Sequence, residues 1–175
     1  MAVAAPKPGS KTGSLTALRL GPLFALFASL GILLAGNGIQ GTLLAIRANL
    51  EAFTATEIGL LGSGFFVGFI FGCIYVPHLI GRAGHIRCFA ALAAIGAAAT
   101  LVHAMVVEPW TWIALRALSG FCMSGLTMIA ESWINARATR ETRGQIFSIY
   151  RVVDMSCVTG GQFVLTLADP AIHGT

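Results

Sequence analysis

Along this chain, apolar residues run in long unbroken blocks instead of alternating with polar ones. Five blocks, near residues 22–46, 58–80, 88–107, 110–135 and 145–168, are each close to the length that crosses a bilayer. A hydrocarbon core of ~30 Å needs about 20 apolar helical residues. Helices satisfy their own backbone hydrogen bonds, as hydrocarbon requires. Continuous runs also exclude a β-barrel, whose strands alternate. The pattern predicts an all-α membrane protein with five transmembrane helices over residues 19–170. Residues 1–18 are predicted to be a disordered cytoplasmic tail, and residues 171–175 a truncated tail.

The loops sort by charge. Lys7, Lys11 and Arg19, then Arg82 and Arg87, then Arg137, Arg140 and Arg143 fall on one side. The other side carries Arg47 alone among the bases, with Glu51, Glu57, Glu108 and Asp169. Lys and Arg accumulate on the cytoplasmic side, so the N-terminus is expected there. The first run exceeds a signal-peptide core of 7–15 residues and reads as a retained span.

Composition agrees. The chain is 56% hydrophobic and 10% charged, against about 25% charged in a soluble domain. The net charge of +4 is spread over loops, which gives no nucleic-acid footprint. Cys73, Cys88, Cys122 and Cys157 lack CxxC spacing; they read as packing residues, with no metal or cofactor implied. No HExxH, GxSxG or paired-acid arrangement occurs, so an enzyme is not expected.

Local signals refine the helices. Thr54 or Thr56 is placed to cap the second helix. Trp110 and Trp112 suit a membrane interface, as do His78 and His103 near helix ends. Gly64, Gly68 and Gly72 recur every four residues. They fall on one helix face, where another helix can approach closely. Phe65, Phe66 and Phe69 read as lipid-facing or packing surface.

The polar residues within the spans carry the functional information, because charge in hydrocarbon is costly, about 2.5–3.5 kcal/mol on insertion scales. Asn37 and Gln40 share a face of the first helix, where Gly36, Gly38 and Gly41 weaken helical structure. They suit either substrate binding in an unwound segment or interhelical hydrogen bonding. Arg116 lies roughly 9 Å into the fourth helix at ~1.5 Å per residue. It reads equally as a substrate-carboxylate or proton-coupling site and as a lock to backbone carbonyls. Asp154 is either a protonatable coupling residue or neutralised by Arg151, three residues earlier. Glu131 could pair with Arg82 or Arg151 in a gate, or simply stand at the lipid interface.

A family resemblance emerges at the second loop. Tyr75-Val-Pro77-His78 through Gly81-Arg82-Ala83-Gly84-His85-Ile86-Arg87 resembles the loop G-x-x-x-D-R-x-G-R-R of the major facilitator superfamily. Arg82, Gly84 and Arg87 fit; Pro77 and Gly81 stand where that pattern has Gly and Asp, so the acidic gating partner is missing. Arg116 through Gly120 matches the superfamily's R-x-x-x-G. Ala130-Glu131-Ser132-Trp133-Ile134-Asn135, Thr142-Arg143-Gly144-Gln145, Tyr150, Gly161-Gln162 and the segment 36–42 resemble its YcaD-type branch. The similarity covers about residues 22–168.

The resemblance implies twelve helices in two six-helix halves. This chain would be part of the first half, an N-terminal fragment lacking its C-terminal partner half. It implies a secondary active transporter of the bacterial inner (plasma) membrane. A small solute would cross by alternating access, ion- or proton-coupled, with Asn37, Gln40 and Arg116 at the substrate. On the reading of the residues themselves, Arg82, Arg87, Glu131, Arg151 and Asp154 are candidates for coupling or gating, Asp154 standing outside the resembling pattern, and Gly64, Gly68, Gly72 and Gly120 for helix packing. The alternative is a non-transporting membrane fragment or an assembly partner acting through the glycine ladder. Fold alone names no substrate.

Overall fold

The structure is a computed structural model that describes residues 20–138, 140 and 142–168, without the side chains of 20–27, 30, 137 and 164–168. The expected tails at 1–18 and 171–175 lie outside the described residues. Five helices follow in order: α1 (Leu20–Leu50), α2 (Ala55–Ala83), α3 (His85–Met105), α4 (Pro109–Arg137) and α5 (Arg143–Ala168). All five extend beyond the apolar blocks at one or both ends, because capping groups lie outside hydrophobic runs. At Thr54 the hydroxyl accepts from the Glu57 amide (3.3 Å), and Glu57 Oε2 accepts from the Thr54 amide (2.7 Å). This reciprocal box satisfies two orphan donors at the start of α2. At the start of α4, Glu108 Oε2 accepts from the Thr111 amide (2.6 Å) and Pro109 opens the helix, where its missing N–H costs nothing. α3 ends at Met105 because Val106 turns extended (φ −116°, ψ 119°).

A single residue, Gly84, joins α2 to α3. Its φ is +82°, a region that residues with a Cβ enter only under strain.

α4 is the hub. It packs on α2 along one side and on α3 along another, while α1 pairs with α5. Leu34, Val76, Cys88, Leu92, Cys122, Met123, Leu126 and Ile129 form the central core. Leu44, Ala48, Leu61 and Trp112 close one end, and Ala130, Ile134 and Tyr150 the other.

Glycines set the two tightest pairings. A Cβ at Gly68 would collide with the Ala117 carbonyl, and one at Gly72 with Ser124; one at Gly120 would strike the Phe65 carbonyl. Gly64 has looser contact, with the Ile113 oxygen 3.2 Å from its Cβ position. Between α1 and α5, the Cβ position of Gly38 is 3.1 Å from Val158 O and that of Gly161 is 2.9 Å from Ala35 O. The segment 36–41, expected to be weakened, is regular helix. There Gly38 serves close approach and not unwinding.

The outward faces are apolar. Phe66, Ile70, Phe71, Ile74 and Tyr75 of α2, Leu101 and Met105 of α3, and Val152, Met155 and Phe163 of α5 are all exposed. Such a surface suits lipid and is foreign to water. Ala55–Ala83, His85–Met105 and Pro109–Ala136 are long and apolar enough to cross a membrane.

Candidate functional site

Two polar clusters stand out, one inside this apolar bundle and one partly exposed. The first gathers α1, α3 and α4. Arg116 extends from α4 so that its guanidinium carbon lies 4.6 Å from the centre of the Phe65 ring of α2. The ring face attracts the cation. A Cβ at Gly41 of α1 would stand 3.8 Å from Arg116 Nη2. Nη1 is buried without a hydrogen-bond partner, and so is Gln40 Nε2. The other reading of Arg116, a lock to backbone carbonyls, finds no support at Nη1, which bonds to none.

His103 belongs to the same cluster. Expected near the membrane interface, it is turned into the bundle and is 3% exposed. Nδ1 is 2.8 Å from the Ala99 carbonyl, and Nε2 is buried and unpartnered. The ring stacks obliquely on Trp112 with centroids 6.0 Å apart. Trp112, also expected near the interface, is fully buried within the bundle, its indole donating to the Val106 carbonyl (2.5 Å); Trp110 is 67% exposed. Arg47 lies 5.7 Å from the centre of the Trp112 ring and pairs with Glu51 at 3.7 Å.

Two adjoining cavities open between α1 and α3. One, of about 250 Å³, is lined by Asn37, Gln40, Thr100, Ser119 and surrounding apolar residues. The other, of about 350 Å³, is lined by Gln40, Arg47, Thr100, His103 and apolar neighbours. Gln40 and Thr100 border both. The structure thus brings Asn37 and Gln40 to one cavity and Arg116 to the adjacent turn of α1.

The second cluster lies toward the other end. Arg151 Nη1 and Asp154 Oδ2 are 3.2 Å apart, with Arg151 also 5.7 Å from the Tyr150 ring. Glu131 of α4 faces the buried Tyr150 hydroxyl. It forms no ion pair with Arg82 or Arg151, which the sequence had offered as partners. Arg82 and Arg87 are exposed at the α2–α3 junction. There His85 Nε2 is 3.3 Å from Ser132 Oγ, which ties the junction to the end of α4. Arg143 donates to Asn135 across the α4–α5 turn. Among the described residues, no group of three His, Cys, Asp or Glu side chains could hold a metal ion.

Outside the clusters, Glu108 holds its carboxyl below the usual value of 4.5, chiefly through the Thr111 hydroxyl.

Comparison with known proteins reports the same family. The sequence profile described as Major Facilitator Superfamily matches residues 25–164. Two curated relatives are both named "Uncharacterized MFS-type transporter YcaD". The one from Escherichia fergusonii is 24% identical over 132 residues, covering 75% of this chain and 35% of the relative. The one from Salmonella newport is 25% identical over 135 residues, with the same coverage. This chain therefore spans about a third of the length of the curated relatives it matches. No solved structure matches it.

Proposed function

From the premise that this chain belongs to the Major Facilitator Superfamily, we propose that it forms part of a secondary transporter for a small solute. The complete protein would sit in a bacterial inner membrane with the N-terminus cytoplasmic, and would expose its solute alternately to each side. Transport would be driven by an ion or proton gradient.

The observation that carries this reading is the Arg116 guanidinium. It stands inside the bundle with Nη1 unpartnered and Nη2 toward Gly41 of α1, and Nε2 of Gln40, the residue before Gly41, is also unpartnered. Buried polar groups are normally satisfied, and intramembrane charges mark solute or ion pathways. Asn37, Gln40 and Arg116 are therefore assigned to the solute. Arg82 and Arg87 at the α2–α3 junction, with Glu131, Arg151 and Asp154 in the second cluster, are assigned to gating or coupling. The superfamily's helix packing is assigned to Gly64, Gly68, Gly72 and Gly120.

The test is solute flux in proteoliposomes carrying a full-length relative with the equivalent arginine. Arg116→Ala is expected to abolish flux while the protein still inserts and folds. Unchanged flux would remove Arg116 from the mechanism.

A further inference from the structure

We propose that the α2–α3 junction is a binding site for the phosphate headgroup of an anionic phospholipid, held by Arg87 and His85 and reinforced by Arg82. Such a site would serve the protein whatever solute crosses it.

Charge is the first observation. Between Glu57, at the start of α2, and Glu108 the chain has no acidic residue, so the α2–α3 hairpin cannot neutralise its own arginines. Arg82 lies in the last turn of α2 and Arg87 in the first turn of α3. Both are exposed, and neither forms an ion pair among the described residues. Glu131 is the only acid of α4. It faces Tyr150 of α5 and pairs with neither arginine. The positive charge of the junction therefore has no counterpart in the bundle.

Shape is the second. Ala83, Gly84, His85, Ile86, Arg87 and Trp133 line an open recess of about 410 Å³. Its walls combine a guanidinium with an indole and an aliphatic side chain. Two contacts brace them: His85 Nε2 lies 3.3 Å from Ser132 Oγ, and the Trp133 ring packs on Phe89 with centroids 5.4 Å apart. Arginine presents parallel N–H donors that match phosphate oxygens, and indoles favour the level where headgroups meet acyl chains. Ile86 in the recess is 75% exposed, and Tyr75 and Leu79, four residues apart on α2, are exposed as well. They offer acyl chains an apolar flank beside the headgroup. A dissolved phosphate would meet the arginines alone, weakened by salt, and would leave Ile86 uncovered. Basic pockets between membrane helices suit anionic headgroups for the same reasons.

Trp133 supplies the readout, because it lines the recess. The full chain would be reconstituted in bilayers of phosphatidylcholine and phosphatidylglycerol, with one or the other lipid brominated so that it quenches an indole on contact. Trp112 is fully buried and gives a constant background. Trp110→Phe then leaves Trp133 to report the recess, and Trp133→Phe leaves Trp110 to report the opposite end of the bundle. Phosphatidylglycerol is expected to outcompete phosphatidylcholine at Trp133 by about fivefold or more, since one arginine near an anionic surface contributes about that factor. Trp110 should show no such preference. Arg82→Gln combined with Arg87→Gln should remove the preference at Trp133. Arg140→Gln, which neutralises an exposed arginine between α4 and α5, should leave it in place. Equal quenching by the two lipids at Trp133, a preference that survives the double substitution, or an equal loss with Arg140→Gln would overturn the proposal. Glycerol 1-phosphate added in solution should leave the preference unchanged; its loss would identify a soluble phosphate as the occupant and overturn the lipid assignment.

Discussion

The Arg116 guanidinium carbon stands 4.6 Å from the centre of the Phe65 ring, so a cation on α4 rests on an aromatic face contributed by α2. The two helices meet there through glycine, with the Cβ position of Gly120 on the Phe65 carbonyl. Replacing the ring should therefore be felt at the charge. Phe65→Leu removes an attraction of about 0.5–2 kcal/mol while keeping an apolar side chain. The expected outcome is a loss of stability of that size in reversible denaturation from mixed micelles. Arg116→Leu combined with Phe65→Leu should show that the two losses are not additive, as coupled neighbours require.

The α2–α4 contact makes a sharper prediction. The atom that a Cβ on Gly68 would meet is the Ala117 carbonyl, which is backbone and cannot swing aside. Gly68→Ala should cost about 1–3 kcal/mol, the usual range for overpacking. Gly62 lies on the same helix with nothing within 4 Å of its Cβ position. There the same substitution should be neutral or stabilising by up to about 1 kcal/mol, as alanine favours helix. Thermal unfolding of the two variants side by side checks both signs. Equal effects would mean that α2 and α4 do not meet at this face.

How much of this was legible in the sequence follows from what each signal encodes. Length and hydropathy gave five helices, and a local signal narrowed the cap of the second to Thr54 or Thr56, because both depend only on residues near in sequence. Glycines spaced by four gave a face on α2, although not its partner. Gly38 and Gly161, which bring α1 and α5 together, have no such spacing between them. Trp112 and His103 were placed at the interface because both stand near helix ends. Depth along the membrane normal can be read from position in a span, but the direction a side chain faces needs a periodic signal. In α3, alanine on every side erases that signal. The buried His103 was therefore invisible until α4 was laid against α3.

Glu108 gives a pH dependence outside the membrane-spanning segments. Its carboxyl is held below the usual 4.5, first by the Thr111 hydroxyl and then by the Thr111 amide. A depressed folded-state pKa contributes stability above the unfolded value and loses it as pH falls through the folded one. The start of α4 is therefore expected to hold near neutrality and to fray on acidification below about pH 4.5. Amide exchange at Trp110, Thr111 and Trp112, normalised for intrinsic rate, should accelerate over that interval. Glu108→Gln should abolish the acid-dependent step while leaving exchange at the start of α2 unchanged, where Glu57 serves the Thr54 cap.

Orientation is the remaining prediction, and it follows from which loops carry arginine. Gly81, Arg82 and Arg87 are exposed at the α2–α3 junction, and His85 there reaches Ser132 near the far end of α4. Arg47 and Glu51 stand at the opposite end of the bundle, at the close of α1. Basic loops stay on the cytoplasmic side. With the four native cysteines replaced by serine or alanine, a single cysteine at Gly81 should resist a membrane-impermeant thiol reagent applied to intact cells and react after permeabilisation. A single cysteine at Asn49 should react without permeabilisation. The reverse labelling would invert the topology and place Glu131, Tyr150 and Asp154 on the outer side of the membrane.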